Sequence, residues 1–315
     1  MNYIVSIHYN NIELLETQYK SIKKYMQGEY TYIVFNDGVE YSNAITMKCN
    51  KLGIKCINID QDIHIDRNLV FPKELLPMRQ VMNNPPHDST DDLYWKNMKF
   101  DRYNSILNNN TGSRHCDSIQ YIINYFLNNI NDTRYLFNID ADMFLINNIN
   151  IDDYMDNCHI ASFFQGRRIN EIIYWEYIWP NIFIINFKEC PNLNEISMDG
   201  TFLYDNNKMI CVTDTGGESG YYLQKYKDIL KIKSINGKII IDNIKMDIYN
   251  LEIENQKIIT YLLKMNNINN GTGPNKEIFL NDSIIHLRGV GSNWIKKSKE
   301  YNKMQIKIFN EIFNF

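Results

Sequence analysis

The stretch Tyr135 to Ile146, YLFNIDADMFLI, constrains the fold of this chain more than any other. An apolar, aromatic run of this kind is a buried strand. It carries two carboxylates, Asp140 and Asp142, where such a strand emerges into solvent. Alternation of period two predicts both on one side, with Ala141 turned away between them. Two carboxylates so placed repel, and each raises the other's pKa unless a cation stands between them. A divalent ion removes that conflict, and hard oxygen ligands select Mg²⁺ or Mn²⁺, ions that commonly keep positions open for phosphate oxygens. An Asp pair capping a turn is the plainer reading of a lone Asp-x-Asp. The carboxyl end of a hydrophobic strand favours the ligand reading, because open α/β sheets place their binding crevice there.

A length of 315 residues is compatible with one large domain or two, and 44% hydrophobic against 22% charged residues is an ordinary globular balance with enough apolar material for a sizeable core. The net charge of −4 argues against a surface built for non-specific nucleic-acid binding, although Lys296, Lys297, Lys299, Lys303 and Lys307 crowd the C-terminal segment. Six cysteines are scattered without a C-x-x-C pair, so neither a zinc site nor a disulfide framework is expected, and a reduced, cytoplasmic setting follows. There is no signal-like N-terminal segment and no apolar run of the roughly 20 residues that a membrane span needs.

Tyr3 to Tyr9 reads as a first strand, Glu13 to Met26 as a helix with Leu14, Leu15, Tyr19, Ile22 and Tyr25 at helical spacing, and Tyr30 to Phe35 as a second strand. Strand, helix and strand of these lengths predict a right-handed βαβ unit. Asp37, in the turn Asn36-Asp37-Gly38, then stands at the carboxyl edge of the sheet, where turn chemistry alone also explains it. A helix over Ala44 to Leu52 and a strand over Lys55 to Ile59 follow. The long connection Asp60 to Gly112 predicts small helices or a lid, with Leu93 to Leu107 as its helical part. Ser113 is a plausible N-cap for a helix over Arg114 to Asn128, and Arg114 and His115 on its first turn would make an anion site.

Beyond the acidic strand, Ile151 to Met155 reads as a short helix and His159 to Phe164 as a strand. The aromatic segment Tyr174 to Pro180 feeds the apolar run Ile182 to Phe187. Trp175 and Trp179 are there either as core residues or as rings stacked on a sugar face. In VTDTGGESG, Val212 to Gly220, Asp214 is either the cap of a helix over Ser219 to Tyr226 or a base facing an acceptor. Gly216 and Gly217 would let a ligand approach the backbone beside Thr215. A strand is expected at Ile239 to Asp242, and Lys296 to Phe315 reads as an amphipathic helix with Met304, Ile308 and Ile312 inward. In IIHLRGVGSNW, His286 follows an apolar pair, and a neutral imidazole is a suitable third ligand for Mn²⁺.

The succession IVSIHYN, VFNDG, SRHCDSIQYIINYF, NIDADMFL, a Trp-Pro segment, Asp-Thr-Gly-Gly and the closing H-x-x-G-x-G-S-N-W resembles metal-dependent glycosyltransferases of the GT-A fold. Bacterial, phage and large-virus members share those later motifs most fully. The resemblance spans most of the chain. It implies an α/β fold with a Rossmann-like, mostly parallel mixed sheet flanked by helices, in a single catalytic domain. Residues 1–150 would then bind a nucleoside-diphosphate sugar, with UDP as the expected nucleotide, and residues 151–315 a hydroxyl acceptor: a glycan, a lipid, a protein or a modified DNA base.

On this resemblance Asp140, Asp142 and His286 would hold Mn²⁺ or Mg²⁺. His8, Asp37, Arg114, His115, Ala141 and Arg288 would complete the donor site, Asp37 at the uracil or ribose and the arginines at the diphosphate. Trp175, Trp179, Thr215, Gly216 and Gly217 would face the acceptor. Asp214 would take the acceptor's proton in an inverting reaction, or only bind the acceptor in a retaining one. A DNA-modifying glycosyltransferase, a nucleotidyltransferase and a non-catalytic nucleotide-sugar-binding protein are the alternatives. The second is disfavoured by the lack of a G-x-x-x-x-G-K loop.

Overall fold

The computed structural model describes residues 1–9, 12–64, 111–169, 172–200, 202–205, 208–213, 215–240, 255–269, 276–287 and 299–315. A seven-stranded sheet runs, in spatial order and numbered along the chain, β12 (Ile232–Ser234), β8 (Ile160–Ile169), β9 (Ile172–Asn186), β5 (Tyr135–Ile139), β1 (Asn2–His8), β3 (Tyr30–Asn36) and β4 (Lys55–Asn58). Only β9 opposes its neighbours, pairing antiparallel with β8 and β5, while the other pairings are parallel.

Helices cover both faces. Ile4, Val34 and Phe137 share one core with Leu15 and Ile22 of α1 (Ile12–Tyr25) and Ile45 of α2 (Ser42–Leu52). Their strand neighbours Val5, Ile33 and Leu136 point the other way, onto Ile122 and Phe126 of α3 (Thr111–Asn129). Burial on both faces is why these strands read as continuous apolar runs. The expected α/β class and mostly parallel mixed sheet are therefore present.

A short ladder joins β2 (Met26–Gln27) to β7 (Ile149–Asn150). The helix α4 (Ile151–Met155) is capped by the Asn150 side chain, which accepts from the amides of Asp152 and Asp153. A second, antiparallel sheet has the order β13 (Gly237–Ile240), β14 (Lys276–Phe279), β15 (Ile284–His286), β6 (Met143–Leu145). Phe144 and Ile285 of this sheet bury against Tyr261 of α6 (Gln256–Asn269) and Phe309 and Phe313 of α7 (Lys299–Phe313). Ile308 points inward on α7 as expected, in a stripe centred on Phe309 and Phe313, with Met304 and Ile312 only partly buried against it. The hairpin β10 (Phe202–Asp205) and β11 (Lys208–Val212) precedes α5 (Ser219–Lys225).

Three expectations are corrected. The acidic stretch is not one strand: β5 ends at Ile139, and β6 resumes at Met143 in the other sheet. Ser113 lies inside α3 and does not cap it. The aromatic segment from Trp175 is part of a strand that continues through Pro180 to Asn186. Proline is tolerated there because the β8–β9 register shifts between Ser162, opposite Phe183, and Phe164, opposite Ile178. The expected helix over Leu93 to Leu107 lies outside the described residues. No helix among the described residues is long and apolar enough to cross a membrane.

Candidate metal and donor site

Asp140 and Asp142 sit in a tight turn between the two sheets, closed by a hydrogen bond from the Met143 amide to the Asp140 carbonyl at 3.0 Å. The turn, not strand alternation, brings the carboxylates together. The Asp140 amide donates to the Asn181 carbonyl at 3.0 Å. Gln18 on α1 donates to the Asp140 carbonyl at 2.7 Å and to the Met143 carbonyl at 2.9 Å. Gln18 is itself held by the Tyr32 hydroxyl at 2.8 Å and lies 3.1 Å from His8 Nε2. His8 is fully buried beside Gln18, the residue that holds the acidic turn.

The antiparallel register puts His286 of β15 opposite Met143 of β6, next to the acidic turn. The Leu287 amide donates to the Asp142 carbonyl at 2.9 Å. His286 Nε2 lies 3.0 Å from Asp142 Oδ1. Asp140, Asp142 and His286 each offer an atom to a cluster whose members all lie within 4.8 Å of one another. Two carboxylate oxygens and one imidazole nitrogen fit Mn²⁺ or Mg²⁺, which prefer hard donors. The His286 ring is buried, and burial alone would lower its pKa. Without an ion, the charge of Asp142, the hydrogen bonds to Asp142 and Glu277 and the Glu277 charge overcome this and raise it to about 10, so an ion held at Nε2 would displace a proton from that nitrogen.

Two further groups grip Asp140. Asn181 donates to its Oδ2 from the irregular stretch of β9. His115 Nε2 lies 3.2 Å from its Oδ1. Bulges next to functional sites commonly re-aim a side chain in this way. Neither Asn181 nor Gln18 stands out in the sequence, since Asn and Gln in apolar surroundings have no spacing that marks them. The Trp-Pro pair just before Asn181 is the only local hint of a broken ladder.

Asp37 and Arg114 meet, but in the interior. Arg114 Nη2 donates to Asp37 Oδ1 at 2.7 Å and to Gln61 Oε1 at 2.5 Å, and the guanidinium lies 5.0 Å from the Tyr9 ring centroid. Asp37 also accepts from Ser118 and Gln61 and lies 2.9 Å from His64 Nε2, while His64 Nδ1 lies 3.1 Å from Asp117. The Asp37 residue is 2% exposed. Its carboxylate thus ties α3 to the carboxyl edge of β3.

The tryptophans are used in packing. Trp175 Nε1 donates to the Gly217 carbonyl at 2.8 Å, and the ring lies edge-on to Tyr221. Trp179 lies against Phe163 and Phe279, with its ring centroid 6.0 Å from that of His286. The glycine turn is seated on the backbone of β9. Gly216 has φ +90°, and a Cβ there would stand 2.2 Å from the Ile178 carbonyl oxygen. At Gly217 a Cβ would stand 1.7 Å from Thr213 Oγ1. The close approach these glycines permit is therefore that of the chain's own backbone and Thr213. Thr215 is 7% exposed, Ala141 borders the core of α6 and α7, and Asp214 and Arg288 lie outside the described residues.

No protein-family model matches the chain, and no curated protein matches its sequence. Among solved structures it is similar to the galactosyltransferase LgtC in complex with donor and acceptor sugar analogs, at 12% identity and a TM-score of 0.41, over 99% of this chain and 96% of that one. It is also similar to the mannosyltransferase Ktr4p from S. cerevisiae, at 10% identity and a TM-score of 0.35, over 59% and 56% of the two chains. For mouse xyloside xylosyltransferase 1 the values are 9% identity and 0.36, over 62% and 71%. Likeness at this level assigns no residue a role.

Proposed function

We propose that this chain is a metal-dependent glycosyltransferase that moves a sugar from a nucleoside-diphosphate donor, a UDP-sugar first of all, to a hydroxyl acceptor. The observation that carries the reading is the convergence of Asp140, Asp142 and His286 at the carboxyl edge of the parallel strands β5, β1 and β3. That edge is where open α/β sheets bind nucleotides. The order of the sequence motifs, from the first strand to the closing Gly-rich segment, supports the same reading.

Asp140, Asp142 and His286 would hold Mn²⁺ or Mg²⁺, which when bound would offset the charge that develops on the departing nucleoside diphosphate. The chain's own residues supply the rest. Asn181 and His115 hold the Asp140 carboxylate in one orientation, which limits the reorganisation required when the donor arrives. Arg114 and Asp37 anchor the start of α3 beside the donor crevice, and Arg288 would add positive charge at the diphosphate. Asp214 is the group assigned to accept the acceptor's proton in an inverting reaction.

The test is incubation of the purified protein with a panel of nucleotide-sugars, with and without Mn²⁺, followed by assay of released nucleoside diphosphate. The expected result is Mn²⁺-dependent release from at least one donor, abolished in Asp142→Asn. A nucleotidyltransferase would release pyrophosphate from a nucleoside triphosphate, and a binding protein would release nothing. Either outcome would overturn the reading.

A further inference from the structure

We propose that Glu277 is a positioning residue for the metal centre: from the neighbouring strand it grips His286 at Nδ1 and thereby holds Nε2 toward Asp142. The inference rests on the metal-centre reading above and extends it to a residue that makes no contact with the ion itself.

Glu277 and His286 are directly paired residues of β14 and β15. Their side chains share a face, and Glu277 Oε2 lies 2.6 Å from His286 Nδ1. On its other side β15 pairs with β6, so His286 also stands opposite Met143, the residue after Asp142. One register therefore places a carboxylate on each side of a single imidazole. The ring nitrogens point apart: Nε2 faces Asp142 Oδ1 at 3.0 Å, and Nδ1 faces Glu277. Glu277 is across the ring from the ligand cluster and is not a member of it.

The chemistry that follows is that of a carboxylate, histidine and metal relay. A proton kept on Nδ1 by an anionic acceptor leaves the Nε2 lone pair for the ion, fixes the ring's rotation and makes the ligand nitrogen more basic. Glu277 is 4% exposed. A carboxylate is costly to bury unless its partners compensate, and a strand of this sheet needs no acid for its ladder. Trp179 packs beside the ring, its centroid 6.0 Å from that of His286, and the two carboxylates hold the ring at its nitrogens.

Glu277→Gln keeps an acceptor for Nδ1–H and removes the charge, whereas Glu277→Asp keeps the charge and withdraws it from the ring. Mn²⁺ binding is measured by the loss of the free-ion electron paramagnetic resonance signal on titration of the full chain, with the unfolding transition recorded without metal to confirm a folded protein. The expected result is Mn²⁺ affinity weakened about 10- to 100-fold in E277Q, and weakened to a lesser degree in E277D, relative to the parent chain. Either variant, folded and binding Mn²⁺ as tightly as the parent, overturns the role of Glu277 and leaves the metal centre standing. A folded parent chain that takes up no Mn²⁺ overturns both.

Discussion

Asn181 donates a hydrogen bond to the carboxylate of Asp140 from a stretch of β9 where the ladder with β8 is broken. The next residue, Ile182, returns to regular pairing with Ile139 at the end of β5. The bulge that accommodates Pro180 thus also turns a strand residue toward the acidic turn. Asn181→Ala removes the donor while leaving the backbone pairing to Asp140 intact. Donor hydrolysis should fall about tenfold, the scale of one charge-assisted hydrogen bond of about 1.5 kcal/mol. Steady-state kinetics in saturating Mn²⁺ tests this, and unchanged turnover would refute a positioning role for Asn181.

The two aspartates of the turn should behave differently when neutralised. Asp142 is the partner of the buried His286, whereas Asp140 is held by Asn181 and the half-buried His115. Asp142→Asn should therefore destabilise the protein by about 1–3 kcal/mol in urea unfolding, and Asp140→Asn by less. Both variants should lose the rise in melting temperature that Mn²⁺ confers on the parent by binding the native state. A retained Mn²⁺ shift in either variant would count against a shared ion.

His64 makes a pH prediction away from the metal centre. Burial on its own would lower the imidazole pKa, but hydrogen bonds to Asp117 and Asp37 and the Asp37 charge outweigh it, even against nearby Arg114, and the net shift is upward. A pKa raised in the folded state contributes stability that is fully present below the unfolded value of about 6.5 and is lost as pH rises through the folded value. The stability gap between the parent and His64→Gln should accordingly shrink as pH is raised above neutrality. Unfolding midpoints of both proteins across that range decide the matter, and parallel curves would contradict it.

Gly216 and Gly53 both adopt positive φ, at +90° and +70°, yet only the first is crowded. A Cβ at Gly53 meets nothing within 4 Å, so Gly53→Ala should cost about 1–2 kcal/mol from backbone strain alone. Gly216→Ala adds a collision with the Ile178 carbonyl and should cost clearly more, with loss of activity as Thr215 to Gly217, next to Asp214 in the sequence, are displaced. Urea unfolding of the pair provides the comparison, and equal costs would show that β9 can yield at Ile178.

Local pattern alone determined much of this protein. The apolar runs of β1, β3 and β5, the helical spacing of Leu14, Leu15 and Ile22, and the acid pair at the end of the central run all follow from which residues sit side by side in the chain. His286 was recognisable too, because an imidazole after two isoleucines is conspicuous.

Tertiary structure alone decided that Asp140 and Asp142 share a turn between two sheets, that Asn181 and Gln18 serve that turn, that Asp37 and Arg114 neutralise one another in the interior, and that Glu277 stands behind His286. It also decided that Gly216 makes room for β9 and Gly217 for Thr213. Each of these depends on which strand lies beside which and in what register. Such pairings are set by the packing of segments far apart in sequence, so no window along the chain contains the interaction that selects them.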